Sequence, residues 1–156
     1  MTALILSPAT TTDHDVSITG IFDAPRQRVF QAWTEAEHAR QWWAPRHFVV
    51  TACEIDLRSG GKWRARMESP DWGALWIGGE YLEIAAPERL VFTFATDDLY
   101  GKPGPETLVT VTFSELGGAT MFSFSQGPFD HDDTRGGHED GWASAFDVLA
   151  GYLATL

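Results

Sequence analysis

From just after Phe48 to Gln126 the side chains alternate with period two, and a single stretch with helical spacing follows. Cys53, Ile55 and Leu57 alternate with Glu54, Asp56 and Arg58. After a turn at Ser59-Gly60-Gly61, Trp63, Ala65 and Met67 alternate with Arg64, Arg66 and Glu68,. A strand from about Trp76 to Ile84 is interrupted by Gly78-Gly79, which marks a bulge or the close approach of another group,. Leu90 to Phe94 forms the next strand, a Gly- and Pro-rich loop spans Asp98 to Pro105, and a further strand runs from Thr107 to Glu115. The last hairpin is specified twice over. A two-residue turn at Gly117-Gly118 sets Leu116 opposite Ala119, Phe113 opposite Phe122 and Val111 opposite Phe124 on one face, with Thr112 opposite Ser123 on the other,. The register set by the turn is the register that burial demands.

Before this run, Val16 to Phe22 reads as a strand. Pro25 to about Thr34 reads as a short helix with Asp23 as its N-cap, and a second short helix runs from Thr34-Glu35 to Trp42-Trp43, ended by Pro45,. Gly127 to Gly137 is a polar loop, after which Trp142, Phe146, Leu149 and Leu153 form one apolar stripe on a closing helix,. Residues 1–14 form a polar, frayed tail, and 15–156 form one domain.

Six meandering strands twist and curl into a concave face, and the C-terminal helix alone has the stripe to cover it. The expected fold is therefore α+β: a curved antiparallel sheet (one N-terminal strand, two short helices, six strands) wrapped around a long C-terminal helix. Trp63, Met67, Phe92, Phe94, Val111, Phe113, Phe122 and Phe124 face inward from the sheet, and Trp142, Phe146 and Leu149 from the helix. Trp42-Trp43 closes one mouth. These rings either line an apolar pocket or interdigitate into a solid core; pattern alone leaves both open.

Ten Phe and seven Trp in 156 residues exceed what a core of this size needs. With 22 acidic against 11 basic side chains, the net charge of −11 repels phosphate backbones and anionic lipid surfaces, so no nucleic acid and no membrane insertion is expected. One cysteine, Cys53, fits a reducing, cytoplasmic setting,.

Chemistry-bearing clusters are few. Asp130-His131-Asp132-Asp133 with His138-Glu139-Asp140 has ligand-type side chains but no metal-motif spacing, and acidic residues entering a helix complement its dipole. Of Glu80 and Tyr81, the glycines before them leave undecided which points inward. An inward carboxylate would gain a raised pKa and acid–base capability. Cys53 reads as a small buried apolar group. No nucleophile elbow or phosphate loop is present, so neither a metal nor a cofactor is expected, and no residue is assigned a catalytic role.

Phe22-Asp23-Ala24-Pro25-Arg26, Val29-Phe30, Ala32-Trp33-Thr34 and Trp42-Trp43-Ala44-Pro45 resemble the opening of the Hsp ninety ATPase activator-like family. Asp56 to Trp63, Gly79 to Ile84 with Pro87 to Thr93, and His138 to Trp142 resemble its later signatures. That family belongs to the START-like, Bet v allergen-type helix-grip (SRPBCC) superfamily, whose members use a cavity between sheet and long helix. The resemblance implies a small-molecule binding protein more readily than an enzyme. Its ligand would be apolar or aromatic (a lipid, sterol or polyketide-like compound), held by the inward rings with Glu80 or His138 as polar contacts. A cyclase- or hydrolase-type enzyme using the same cavity, or a chaperone-interacting module with an exposed patch near Trp72 and Trp76, are the alternatives. Homodimerisation through a sheet edge is left open.

Overall fold

The computed structural model describes residues 4–6, 15–98 and 100–156. Eleven elements follow in order: β1 (Leu4–Leu6), β2 (Val16–Phe22), α1 (Arg26–Thr34), α2 (Ala36–Ala39), β3 (Val49–Ile55), β4 (Lys62–Ser69), β5 (Gly73–Ala85), β6 (Arg89–Thr96), β7 (Thr107–Leu116), β8 (Ala119–Gly127) and α3 (Asp132–Leu153). The strands form one antiparallel sheet in the order β1-β2-β8-β7-β6-β5-β4-β3, so β3 through β8 meander while β2 crosses to pair with β8. The α+β helix-grip architecture expected from the sequence is the one observed. No helix among the described residues is long and apolar enough to cross a membrane.

The β7–β8 hairpin has the expected register, with Phe113 opposite Phe122, Val111 opposite Phe124 and Thr112 opposite Ser123. The inward residues from Thr107 to Phe113 and from Thr120 to Gln126 are buried, and the outward ones mostly exposed.

Four local features differ from the expectation. Leu4–Leu6 add an edge strand against β2; the rest of the expected tail up to residue 14 lies outside the described residues. The residue at the N-cap of α1 is Pro25, without a side-chain cap bond, rather than Asp23. The second helix is only Ala36–Ala39, and the chain continues to Trp43 through turns. The closing helix begins at Asp132, six residues inside the segment read as a loop. Gly136 and Gly137 weaken a helix locally, but Asp132 and Asp133 in the first turn offset the positive end of its dipole,.

Trp33 of α1 is the hub of the core. Its ring meets Trp42 edge-on at 4.7 Å, stacks on Trp142 at 5.9 Å, and lies within 6.4 Å of Phe92, Phe113 and Phe124. Each such pair is worth about 0.5–1.5 kcal/mol beyond its area burial. The surplus of rings noted in the sequence is largely spent here, joining α1, the sheet and α3.

The glycine pair in β5 reflects a close approach. Gly79 sits opposite Trp63, and the Trp63 indole reaches past β5 to donate to the Thr93 carbonyl on β6 at 3.1 Å. A Cβ on Gly79 would lie 1.8 Å from that same carbonyl oxygen. The irregularity in pairing falls slightly later, between Tyr81 and Glu83.

Candidate functional site

The two halves of α3 pack differently. In the second half, Phe146 lies 5.0 Å from Phe122, 5.4 Å from Phe124 and 6.5 Å from Phe22, closing directly on β2 and β8. In the first half, the inward stripe is Thr134, Gly137, His138, Gly141, Trp142 and Ala145. Small residues there remove the side chains that would bridge to β4, β5 and β6. A cavity of about 380 Å³, open to solvent at its mouth, remains between this half-helix, the 43–48 segment and the sheet. Its sheet wall is Met67, Leu75, Ile77, Phe94 and Thr96, and the 43–48 segment contributes Trp43, Ala44, Pro45 and Phe48. A Cβ built on Gly137 meets nothing within 4 Å, and one on Gly141 touches only Pro45 at 3.6 Å.

The covering segment is fastened to α3. The backbone N–H of Arg46 donates to Ser144 Oγ at 2.7 Å, and its guanidinium pairs with Asp147 at 3.2 Å. Trp43 meets Trp63 edge-on at 5.2 Å, so the wall of the cavity is tied into the core behind it.

Of the residues expected at the site, Met67, Phe94, His138 and Trp142 line this cavity. Trp63, Phe92, Val111, Phe113, Phe122, Phe124, Phe146 and Leu149 form the solid core instead. The cavity and solid-core readings are both realised, in different halves of one interior. Trp42 also belongs to the core, with its indole donating to the Ala32 carbonyl at 2.9 Å; its neighbour Trp43 is the one that reaches the cavity. Glu80 is the correction. Its strand partner is Lys62, and its backbone N–H donates to Thr93 Oγ1 at 2.9 Å. Residues 75, 77, 79 and 81 face inward, so Tyr81 is buried and Glu80 lies on the outer side.

Sequence reasoning missed Phe48, Leu75, Ile77, Thr96 and the small-residue stripe of α3. Gly137, Gly141 and Ala145 stand at intervals of four ahead of Phe146 and Leu149, a signal that a search for large apolar side chains passes over.

The polar frame of the cavity is a buried relay. Trp142 Nε1 donates to Gln126 Oε1 at 2.7 Å, Gln126 Nε2 donates to Thr107 Oγ1 at 2.9 Å, and Thr107 Oγ1 donates to the Phe94 carbonyl at 3.1 Å. His138 is the one titratable side chain among the described residues that line the cavity. Its ring lies against Phe94 and Phe129, and its Nδ1 is 2.9 Å from the Thr134 carbonyl. Elsewhere, burial pushes the Cys53 thiol up to about 11, Arg40 opposing this and Glu54 adding to it. Burial likewise raises the Tyr81 hydroxyl, with Cys53 adding to the effect. Neither ionises near neutral pH. Among the described residues, no three His, Cys, Asp or Glu side chains converge as metal ligands do.

On the outer face, Trp76 is half-buried beneath the Arg64 guanidinium, 4.0 Å from its ring centre, while Trp72 at the β4–β5 turn is 80% exposed.

A curved sheet gripping a long helix, with an apolar cavity beneath the helix, defines a helix-grip protein of the START-like class. The sequence matches the profile of the activator of Hsp90 ATPase homolog 1-like proteins over residues 23–154, and the chain belongs to that family. No curated protein matches it. Among solved structures, a protein from Arthrobacter aurescens is 24% identical with a TM-score of 0.84, over 96% of this chain and 92% of that one. A Chromobacterium violaceum protein is 24% identical with a TM-score of 0.82, over 91% and 98%. CalU16 from Micromonospora echinospora is 20% identical with a TM-score of 0.67, over 98% and 86%. At these identities the likeness establishes the fold alone.

Proposed function

We propose that this protein binds a small ligand with an apolar or aromatic body in the cavity under the first half of α3. The observation that carries the reading is the roughly 380 Å³ hollow walled by Trp43, Phe48, Met67, Ile77, Phe94 and Trp142. A volume of this order suits one small molecule, and such concave apolar sites with few polar groups are the usual form of a ligand pocket. Binding rather than turnover is the reading adopted because His138 is the one titratable group among the described residues that line this cavity,. The family name does not carry a chaperone role across to this chain.

The test uses N-phenyl-1-naphthylamine, an uncharged dye whose emission rises in apolar surroundings. Saturable enhancement at one dye per chain, with loss of tryptophan emission, is expected. Gly137→Leu, which fills the hollow from the helix side, should abolish it. Linear, unsaturable enhancement in the unaltered protein would sink the proposal.

A further inference from the structure

A second hollow of about 310 Å³ adjoins the first, bounded by the end of β6, the start of β7, residues 128–131 and the opening of α3. The two share Phe94, Thr96, Thr134 and His138, so His138 stands in the wall between them. A carbonyl only accepts, so the 2.9 Å contact with Thr134 O fixes the proton of the neutral His138 ring on Nδ1,. Its lone pair is then on Nε2, an acceptor. The first chamber is almost wholly apolar. The second adds Asp130 and His131 to its lining, together with Thr107, whose hydroxyl is engaged by Gln126 and the Phe94 carbonyl.

The charge balance has one sign. Neither chamber is lined by Lys or Arg among the described residues. Asp130 is part of the lining of the second chamber, and Asp132 and Asp133 follow it in the first turn of α3, against Arg135, whose guanidinium is 3.5 Å from Asp132. The α3 N-terminus contributes only about half a positive charge, so the 130–135 segment stays net negative. The charge of −11 on the whole chain adds to this field,. A carboxylate ligand would meet repulsion and no counter-ion. An ammonium would meet acceptors at Asp130 and His138.

We infer that the two hollows form one bipartite site whose ligand is an amine: an apolar or aromatic body in the first chamber and a protonated nitrogen in the second, facing Asp130 and His138. The inference rests on the binding reading above and narrows it to a ligand class.

The test is calorimetric titration with three probes built on one naphthalene ring: 1-naphthylmethylamine, 1-naphthalenemethanol and 1-naphthoate. The amine should bind at least about tenfold more tightly than the carboxylate, with the alcohol between them. Asp130→Asn, a change at an exposed loop position, should weaken the amine about fivefold while leaving the alcohol within twofold. If the alcohol binds but the amine and carboxylate bind equally, or if Asp130→Asn weakens amine and alcohol alike, the amine assignment falls while the cavity reading stands. If none of the three binds, both fall together.

Discussion

The Trp142 indole donates to the side-chain oxygen of Gln126 across 2.7 Å, joining α3 to β8 at the point where the helix begins to stand away from the sheet. Gln126 is 1% exposed and also donates to Thr107, so it is a buried amide with both ends engaged. Removing such a group orphans its partners, which costs more than the net worth of one bond.

Gln126→Ala should therefore lower stability by about 2–3 kcal/mol, adding a small cavity to the loss of two hydrogen bonds. Urea denaturation measures it. In a double-mutant cycle with Trp142→Phe, the two changes should be non-additive by about 1 kcal/mol, because each removes the same bond. Strict additivity would show that the relay does not tie the helix down.

Gly137 separates helix stability from cavity volume. Gly137→Ala adds a Cβ that meets nothing within 4 Å, and should stabilise by about 0.5–1 kcal/mol through helix propensity. Thermal unfolding should move up by a few degrees, with dye binding retained. A Tm that falls would mean that the helix is not formed at this position.

Gly79→Ala should be among the most damaging single changes in the chain. The new methyl would sit 1.8 Å from the Thr93 carbonyl, on a strand that cannot retreat without breaking the Trp63–Thr93 bond. A loss of about 3 kcal/mol or more is expected. Gly78→Ala, whose Cβ would approach the Trp63 carbonyl only to 3.0 Å, should cost clearly less. Equal denaturation midpoints for the two variants would contradict this.

Alkaline pH should destabilise the fold through Cys53 and Tyr81. Burial raises both groups, the thiol from about 9 to about 11. The unfolded chain therefore releases these protons first and binds fewer of them, so stability falls as pH rises. The contribution of Cys53 is intact below about pH 9 and is lost progressively as the pH climbs through 11. Urea midpoints across this range should decline less steeply in Cys53→Ala and in Tyr81→Phe. At neutral pH, Tyr81→Phe should be close to neutral, since the hydroxyl is buried without a hydrogen-bond partner among the described residues,.

Strand order, hairpin register and the presence of a closing helix were legible because each is a local periodicity. Phe113 and Phe122 pair as the Gly117-Gly118 turn requires, and no distant residue is needed to see it. The family signatures in α1 and around Trp42-Trp43 were equally local. The orientation of Glu80 and Tyr81 was not legible, because it depends on which residues pair with β4 on one side and β6 on the other. The start of α3 was obscured because glycines argue against a helix in isolation, whereas here the helix is held from Gln126 and from Arg46 by bonds between residues far apart in the chain.

The amino-acid order alone settled that alternating strands would curl around one amphipathic helix, since burying two periodic apolar faces admits few other arrangements. Only the tertiary structure decided where the interior is filled and where it is hollow. Trp33 fills the space beside Phe146, while a Cβ on Gly137 would meet nothing within 4 Å and one on Gly141 only Pro45. Packing of this kind is a relation between side chains from five or more elements, and no window of sequence contains it.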